Sequence, residues 1–457
     1  MSGSSFTPRL AGAETPLIAD YSPDRPISCD GSGCVVTQRE FLLAVTALAD
    51  LLPEGGQLIN LCQGRYHFLL TFAATVVRGG VNILPPNRST ATIAQIRAEH
   101  PGALCISDGD ETEGANIALL PLLQQIATMA PSADSLMPQV SLAATVAIAY
   151  TSGSTGKPKP NRKSWGILSG TAELLCKRLL PSGEPPLLVP TVPPQHMYGL
   201  ETSILMVLQG GATLYTGDTF YPEEIASAFR TTGSGILITT PVHLLTLSRA
   251  GIAIEGFRKV ICATAPLRQE LACDVEAHFH TTIFEIYGFT EAGSVATRPT
   301  TTSSVWQLLD GMLIEKSAAH FLVSGPQFPA KVPVLDLIEP AAEGRAFTLA
   351  GRAEDMINVA GKRASLADLN FQLLQLPGIC DGVMLMPEEG GDLARPIGIV
   401  VSQRNKREIL ADLSQRVDPV FLPRPLIFVE KIPRNETGKP QRQELLCIIE
   451  RHEQHKS

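Results

Sequence analysis

The sequence predicts an α/β protein: a large N-terminal domain of helix-covered, mostly parallel sheets plus a small β element, then a small α+β domain. Three observations predict it. Short apolar runs bounded by Gly and Pro recur over roughly the first 300 residues. Segments with helical periodicity lie between most of them, and strands alternating with helices imply parallel sheets covered on both faces. The texture then changes twice, after Trp306 and after Arg352.

Taken in order, residues 41–52 carry apolar positions at helical spacing. Phe68 to Val77 is a second apolar stretch, flanked by Arg65 and Arg78. It is too short to span a bilayer and reads as a buried helix. Strands are expected at Gln57–Leu61, Val81–Leu84, Ala103–Ile106, Leu187–Val189, Ala212–Tyr215, Gly235–Thr239, Val260–Ala263 and Thr282–Ile286. Helices are expected at Glu223–Arg230 and Arg268–His278, and the Ala/Ser/Pro stretch 128–138 reads as a loop. Met312–Asp336 reads as short antiparallel strands. The tail alternates helix Leu366–Leu376, strands Gly382–Met386 and Pro396–Val401, helix Lys406–Val417 and strand Leu426–Val429. That places domains at 1–352 and 353–457.

A chain of 457 residues with 44% hydrophobic content has ample core for this plan. The net charge of -8 offers no electrostatic footprint for nucleic acid or an anionic membrane. Nine scattered cysteines without a C-x-x-C pair suit reduced thiols better than a disulfide framework or a zinc site. The first residues lack a basic region followed by an apolar run. A cytoplasmic protein with no membrane span is the expectation.

Four segments carry chemistry. Tyr150–Lys159 follows an apolar strand and is rich in Ser, Thr and Gly, so backbone N–H groups, hydroxyls and lysines can approach phosphate oxygens. It does not fit the Walker A pattern. Ile286–Glu291 places a Thr–Glu pair at a strand's carboxyl end, which suits a phosphate with Mg²⁺. Leu349–Arg363 and Pro433–Lys439 set charges beside glycines. Each alone reads as a surface turn.

In this order and spacing the four resemble the core motifs of the adenylate-forming superfamily: acyl- and aryl-CoA synthetases, peptide-synthetase adenylation domains and firefly-type luciferases. The resemblance runs from about Tyr150 to Lys439. It implies an AMP-forming acid–thiol ligase that uses ATP and Mg²⁺ and passes the acyl group to CoA or to the phosphopantetheine of an acyl carrier protein. It assigns Thr151, Ser152, Gly153, Ser154, Thr155, Gly156 and Lys159 to the β- and γ-phosphates. Ala265 and Pro266 resemble the adenine-contact segment, with Ala-Thr in place of the usual Gly-Gly before them. Tyr287, with Gly288, would stack on adenine; Thr290 would meet the α-phosphate and Glu291 would hold Mg²⁺. Asp336 matches a buried aspartate on the ribose hydroxyls, Arg352 a second ribose contact, and Arg363 an arginine toward the phosphates. Glu354 sits at the hinge position, and Lys439 matches the catalytic lysine of a mobile C-terminal lid.

His196 would lie between acyl pocket and thiol tunnel, and Tyr198, Thr240, Thr264 and Gly288 are pocket candidates. Amino-acid-activating relatives place an Asp after the His position; Met197 stands here, and an ammonium would lack a partner. A fatty or aromatic acid is expected instead. The segment Val192–Glu201 is similar to ligases of aryl-polyene or xanthomonadin-type pathways, which points to a hydroxybenzoate-like aryl acid and a carrier protein. A non-catalytic nucleotide-binding relative, an amino-acid-activating member or a β-lactone-forming member are the alternatives. Two departures stand out: Lys159-Pro160-Asn161 replaces the usual Lys-Gly-Val, and the N-terminal region is short.

Overall fold

The structure, a computed structural model, describes residues 12–109, 117–128, 137–151, 159–181, 183, 186–317, 320–334, 336–352, 356–359, 362–387, 395–435 and 440–454. Two sheets organise the large domain. The smaller runs in the order Lys159–Ser164, Thr145–Thr151, Val81–Leu84, Gln57–Asn60, Leu104–Ser107, Ile117–Ala118. All its neighbours are parallel except the first pair. The larger sheet has a parallel centre of Thr213–Tyr215, Leu187–Pro190, Gly235–Thr239, Phe257–Cys262 and Ile283–Phe289. Beyond Ile283–Phe289 it turns antiparallel through Gly293–Pro299, Trp306–Leu308, Ala346–Arg352 and Asp336–Ala341. A helix-covered central strand must be apolar on both faces, and every residue of Gly235–Thr239 is buried.

Most expected elements appear within a few residues of their sequence positions. The helix at 41–52 begins earlier, at Gln38, because Thr37 and Glu40 form a reciprocal capping box that stops it there. The expected antiparallel element is a three-stranded sheet, Leu313–Lys316, Phe321–Ser324 and Val332–Val334. Other features were not anticipated, three of them near the phosphate loop or the C-terminal end. Lys159–Ser164 is a strand; Trp165–Leu179 is a helix capped by the Ser164 hydroxyl, with Trp165 fully buried; and Arg442–Gln454 is a terminal helix. Of the expected loop 128–138, residues 129–136 lie outside the described residues.

The smaller C-terminal domain has its own cores. One gathers Ile357, Leu369, Leu373, Val400 and Ile409; another joins Ile397, Ile427, Leu445 and Ile449. Arg268 Nη1 donates to the carbonyl of Leu374 at 2.5 Å, tying the large domain to the first helix of the small one.

Candidate active site

The strand Ile283–Phe289 is the spine of the site. Tyr287 is buried within it, and its hydroxyl donates to Asp336 Oδ2 at 2.5 Å. The ring is tilted 57° against Trp306 and lies nearly edge-on to Phe347, at 5.7 and 5.2 Å between centroids. Aromatic contacts of this kind hold a ring orientation firmly. Asp336 is half-buried rather than buried as expected, because it starts an outer strand of the sheet. Its register partner on the next strand is Arg352, so the two residues matched to the ribose face each other across one ladder. The Arg352 side chain lies outside the described residues, as does that of Arg363, which stands on Lys362–Ser365.

Thr290 and Glu291 form the turn of a hairpin, not the end of an isolated strand: Ile283–Phe289 folds back antiparallel into Gly293–Pro299. Thr290 is half-buried and Glu291 exposed. Gly288 sits at a bulge, where a Cβ would come within 2.5 Å of the Gly293 carbonyl, so only glycine fits. Among the described residues no group of three metal-ligating side chains exists. A single exposed carboxylate suits Mg²⁺ that arrives on a nucleotide and keeps its waters and phosphates as other ligands.

The Ser/Thr/Gly loop closes the hairpin between Thr145–Thr151 and Lys159–Ser164. Thr151 and Lys159 are register partners at its mouth, and Lys159 is exposed. Ser152, Gly153, Ser154, Thr155 and Gly156 lie outside the described residues, as do Glu354 and Lys439. A bridge between Arg434 and Pro440 brackets the Lys439 segment, and Arg434 Nη2 is held on Asp381 Oδ1 at 2.6 Å.

Thr264 adopts φ +83°, a left-handed conformation that a β-branched residue resists. The strain sits directly before Ala265 and Pro266. Three residues on, the Leu267 N–H donates to Glu285 Oε1 at 3.0 Å. Glu285 Oε2 accepts from Arg298 Nε and Nη2 and from the Thr300 hydroxyl. Glu285 therefore pins the Ala265–Pro266 segment to the strand of Tyr287. Sequence reasoning missed it, although a lone acid inside the apolar run Ile283–Ile286 was the available signal.

The pocket candidates have structural duties too. The Tyr198 hydroxyl donates to the carbonyls of Thr239 and Ile261, bracing two strand ends, and burial pushes its phenol well up. Thr240 caps the helix Pro241–Ala250, and its hydroxyl meets His243 Nδ1 at 3.1 Å. His196 is half-buried at the start of the helical turn Met197–Gly199, with Met197 beside it. These residues gather at the carboxyl ends of the parallel strands, where open α/β sheets bind ligands. Arg65 joins them, donating to the Val192 carbonyl and to Thr219.

Beneath the Thr290–Glu291 turn lie two charges to which the sequence motifs assigned no role. Lys163 is 1% and Glu201 2% exposed. Burial pushes the Lys163 ammonium down to about 8, against the pull of Glu201 and Glu291. Burial pushes the Glu201 carboxyl up to about 7, against Ser294 and Lys163. A separate crevice of about 390 Å³, lined by Arg249, Arg268, Gln375 and Arg416 among others, touches none of the site residues.

Comparison with known proteins bears on this constellation. Residues 19–314 match the family described as AMP-binding enzyme. The Arabidopsis thaliana protein "4-coumarate--CoA ligase-like 6" is 23% identical over 354 residues, covering 66% of this chain and 62% of that protein. The chain thus spans less than two thirds of that relative's length. A Bacillus anthracis "3,4-dihydroxybenzoate--[aryl-carrier protein] ligase" is 24% identical over 305 residues, covering 64% and 71%. Among solved structures, o-succinylbenzoate CoA synthetase from Bacillus subtilis, bound to its acyl-adenylate intermediate, superposes with a TM-score of 0.81 at 18% identity, covering 95% of this chain and 98% of that one. ATP-bound MatB from Rhodopseudomonas palustris superposes with a TM-score of 0.80 at 18% identity, covering 93% and 95%. At such identity these two establish the fold: a large N-terminal domain and a small C-terminal one.

Proposed function

We propose, from the premise that the chain belongs to the AMP-binding enzyme family of the adenylate-forming superfamily, that it is an AMP-forming acid–thiol ligase acting on an aromatic carboxylic acid. The observation that carries the reading is the Tyr287–Asp336 hydrogen bond beside the Thr290–Glu291 turn. It joins an aromatic ring for a base and a hydroxyl–carboxylate pair for phosphate and Mg²⁺, both on one hairpin, to a carboxylate for ribose hydroxyls at the start of an outer strand of the same sheet.

The chemistry takes two steps. A carboxylate oxygen attacks the α-phosphorus of ATP; the new O–P bond forms as the bond to the β-phosphate oxygen breaks and pyrophosphate leaves. A thiol sulfur then attacks the adenylate carbonyl, AMP leaves, and the thiol proton passes to solvent. In the first step two anions must meet, and a cation between them lowers their repulsion. Lys439 takes that role from the 353–457 domain, hinged at Glu354. Thr151 and Lys159 flank the loop assigned to the β- and γ-phosphates, Arg352 is assigned to the ribose, and Arg363 to the phosphates. Met197 in place of a carboxylate disfavours an amino acid. The names of the ligases to which the chain is similar, for coumarate and dihydroxybenzoate, support an aryl acid. CoA and a carrier-protein phosphopantetheine are both suitable thiols.

The test is product analysis by mass spectrometry with ATP, Mg²⁺, CoA or a carrier protein, and a panel of benzoic, cinnamic and fatty acids. An aryl adenylate and thioester are expected. Silence across the panel points to a non-catalytic nucleotide binder instead. Lys439→Ala is expected to abolish ATP–pyrophosphate exchange while sparing thioester formation from preformed adenylate; intact exchange refutes the lysine's role.

A further inference from the structure

The hairpin turn bearing Thr290 and Glu291 is held from below at both ends by buried charges. Lys163 lies on the strand that leaves the phosphate-loop hairpin, and its Nζ donates to the Glu291 carbonyl at 2.7 Å across 128 residues of sequence. Glu201 reaches the other end. It accepts from the Ser294 N–H at 3.0 Å and from the Ser294 hydroxyl at 2.5 Å. Between the two anchors lie only Ala292 and Gly293. Gly293 holds φ +83°, and a Cβ there would fall 2.2 Å from Glu201 Oε1, so the carboxylate is pressed directly against the turn. Glu201 is carried by a π-helical turn, Leu200–Leu205, a wide register common where a helix must re-aim a side chain for function.

Two buried charges are a costly way to support a hairpin. Each loses several kcal/mol of hydration that apolar packing would not forfeit. What they supply is precision. An exposed turn fixed at two points pays its ordering entropy on folding, not on ligand binding, and so presents its side chains already in place.

We propose that Lys163 and Glu201 are positioning residues for magnesium–nucleotide binding, fixing the backbone on either side of Glu291 so that the Thr290 hydroxyl and the Glu291 carboxylate meet the metal-bound phosphates without rearrangement. Neither residue touches the nucleotide. The inference rests on the reading of that turn given under Proposed function.

Calorimetric titration of the full chain with ATP, with and without Mg²⁺, and with AMP tests it without any acid substrate. Lys163→Met keeps an unbranched side chain of similar bulk and removes the cation. It should weaken ATP binding in Mg²⁺ by roughly ten- to a hundredfold, the usual effect of removing a group that orients a metal ligand. AMP should lose clearly less affinity than ATP, because it keeps Tyr287 and Asp336 and draws on the turn only through the α-phosphate contact of Thr290. Glu201→Gln keeps an acceptor for Ser294 and should show a smaller loss of the same kind. In Lys163→Met with Glu201→Gln, which leaves no unpaired buried charge, thermal stability should recover while the magnesium effect persists. Equal losses for AMP and ATP assign the pair to folding alone and overturn the proposal. So does wild-type magnesium dependence in Lys163→Met while Glu291→Gln is impaired. If Glu291→Gln itself retains full magnesium-dependent ATP binding, the reading of the turn fails first, and the positioning role falls with it.

Discussion

Glu285 concentrates more of the site's stability than any residue the motifs name. Its carboxylate, 2% exposed, accepts from the Leu267 N–H at 3.0 Å, from Arg298 Nε and Nη2 at 2.8 and 2.6 Å, and from the Thr300 hydroxyl at 3.0 Å. Arg298 in turn lies over the Trp306 ring, 4.5 Å from its centroid. Glu285→Ala strands four donors at once, two of them on a guanidinium only 19% exposed. Removing one partner of a buried ion pair costs about 3–5 kcal/mol. Partial access of water to Arg298 places the expected loss near the middle, about 4 kcal/mol. Glu285→Gln keeps an acceptor for Leu267 and forfeits the charge, for about 1–3 kcal/mol. Urea unfolding followed by tryptophan fluorescence reads this domain specifically, because Trp165 and Trp306 both lie within it. A double-mutant cycle with Arg298→Met should return a coupling of about 2 kcal/mol. Because Leu267 anchors the Ala265–Pro266 segment, AMP binding should weaken about tenfold in Glu285→Ala, equivalent to one lost hydrogen bond to a charged group. A loss of stability below about 1 kcal/mol would refute the ion-pair argument. Unchanged AMP affinity in a destabilised variant would refute the tether.

Thr264→Gly should be stabilising: relief of the φ +83° strain, about 1–3 kcal/mol, outweighs the greater chain entropy of glycine, about 0.5–1 kcal/mol. Differential scanning calorimetry should show Tm rising by about 1–3 °C, and a fall in Tm would count against a strained Thr264. Asp108 should make the fold acid-sensitive. Burial pushes its carboxyl up, but hydrogen bonds from His67 Nδ1 and from the Gln63 and Gly64 N–H groups outweigh this and hold it at about 2. A depressed carboxyl stabilises above its unfolded value of 3.8, and that contribution, about 2 kcal/mol, drains away as pH falls from about 4 toward 2. Asp108→Asn should flatten the stability–pH curve over this window, measured by urea midpoints, and an unaltered slope would remove Asp108 from the account.

What the sequence disclosed and what it withheld divide along physical lines. Mostly apolar strands such as Val81–Leu84 and Gly235–Thr239 were legible to the residue, since short apolar runs between Gly and Pro have few other uses. Tyr287, Thr290 and Asp336 were singled out by resemblance, and the structure adds the hydrogen bond and the hairpin that relate them. The strand Lys159–Ser164 was not legible, because Lys-Pro-Asn-Arg-Lys-Ser has the composition of a solvated turn. Within it, alternation puts Lys159, Asn161 and Lys163 on one face, yet Lys159 is exposed and Lys163 is 1% exposed. Nothing local distinguishes the two lysines. The difference is made by Glu201 on a distant helix and by the carbonyl of Glu291, which together favour the charge of the second lysine in its buried place. Burial of a charge is a property of the pair and not of the residue. A single chain read in order therefore shows its apolar core long before it shows which of its charges the core encloses.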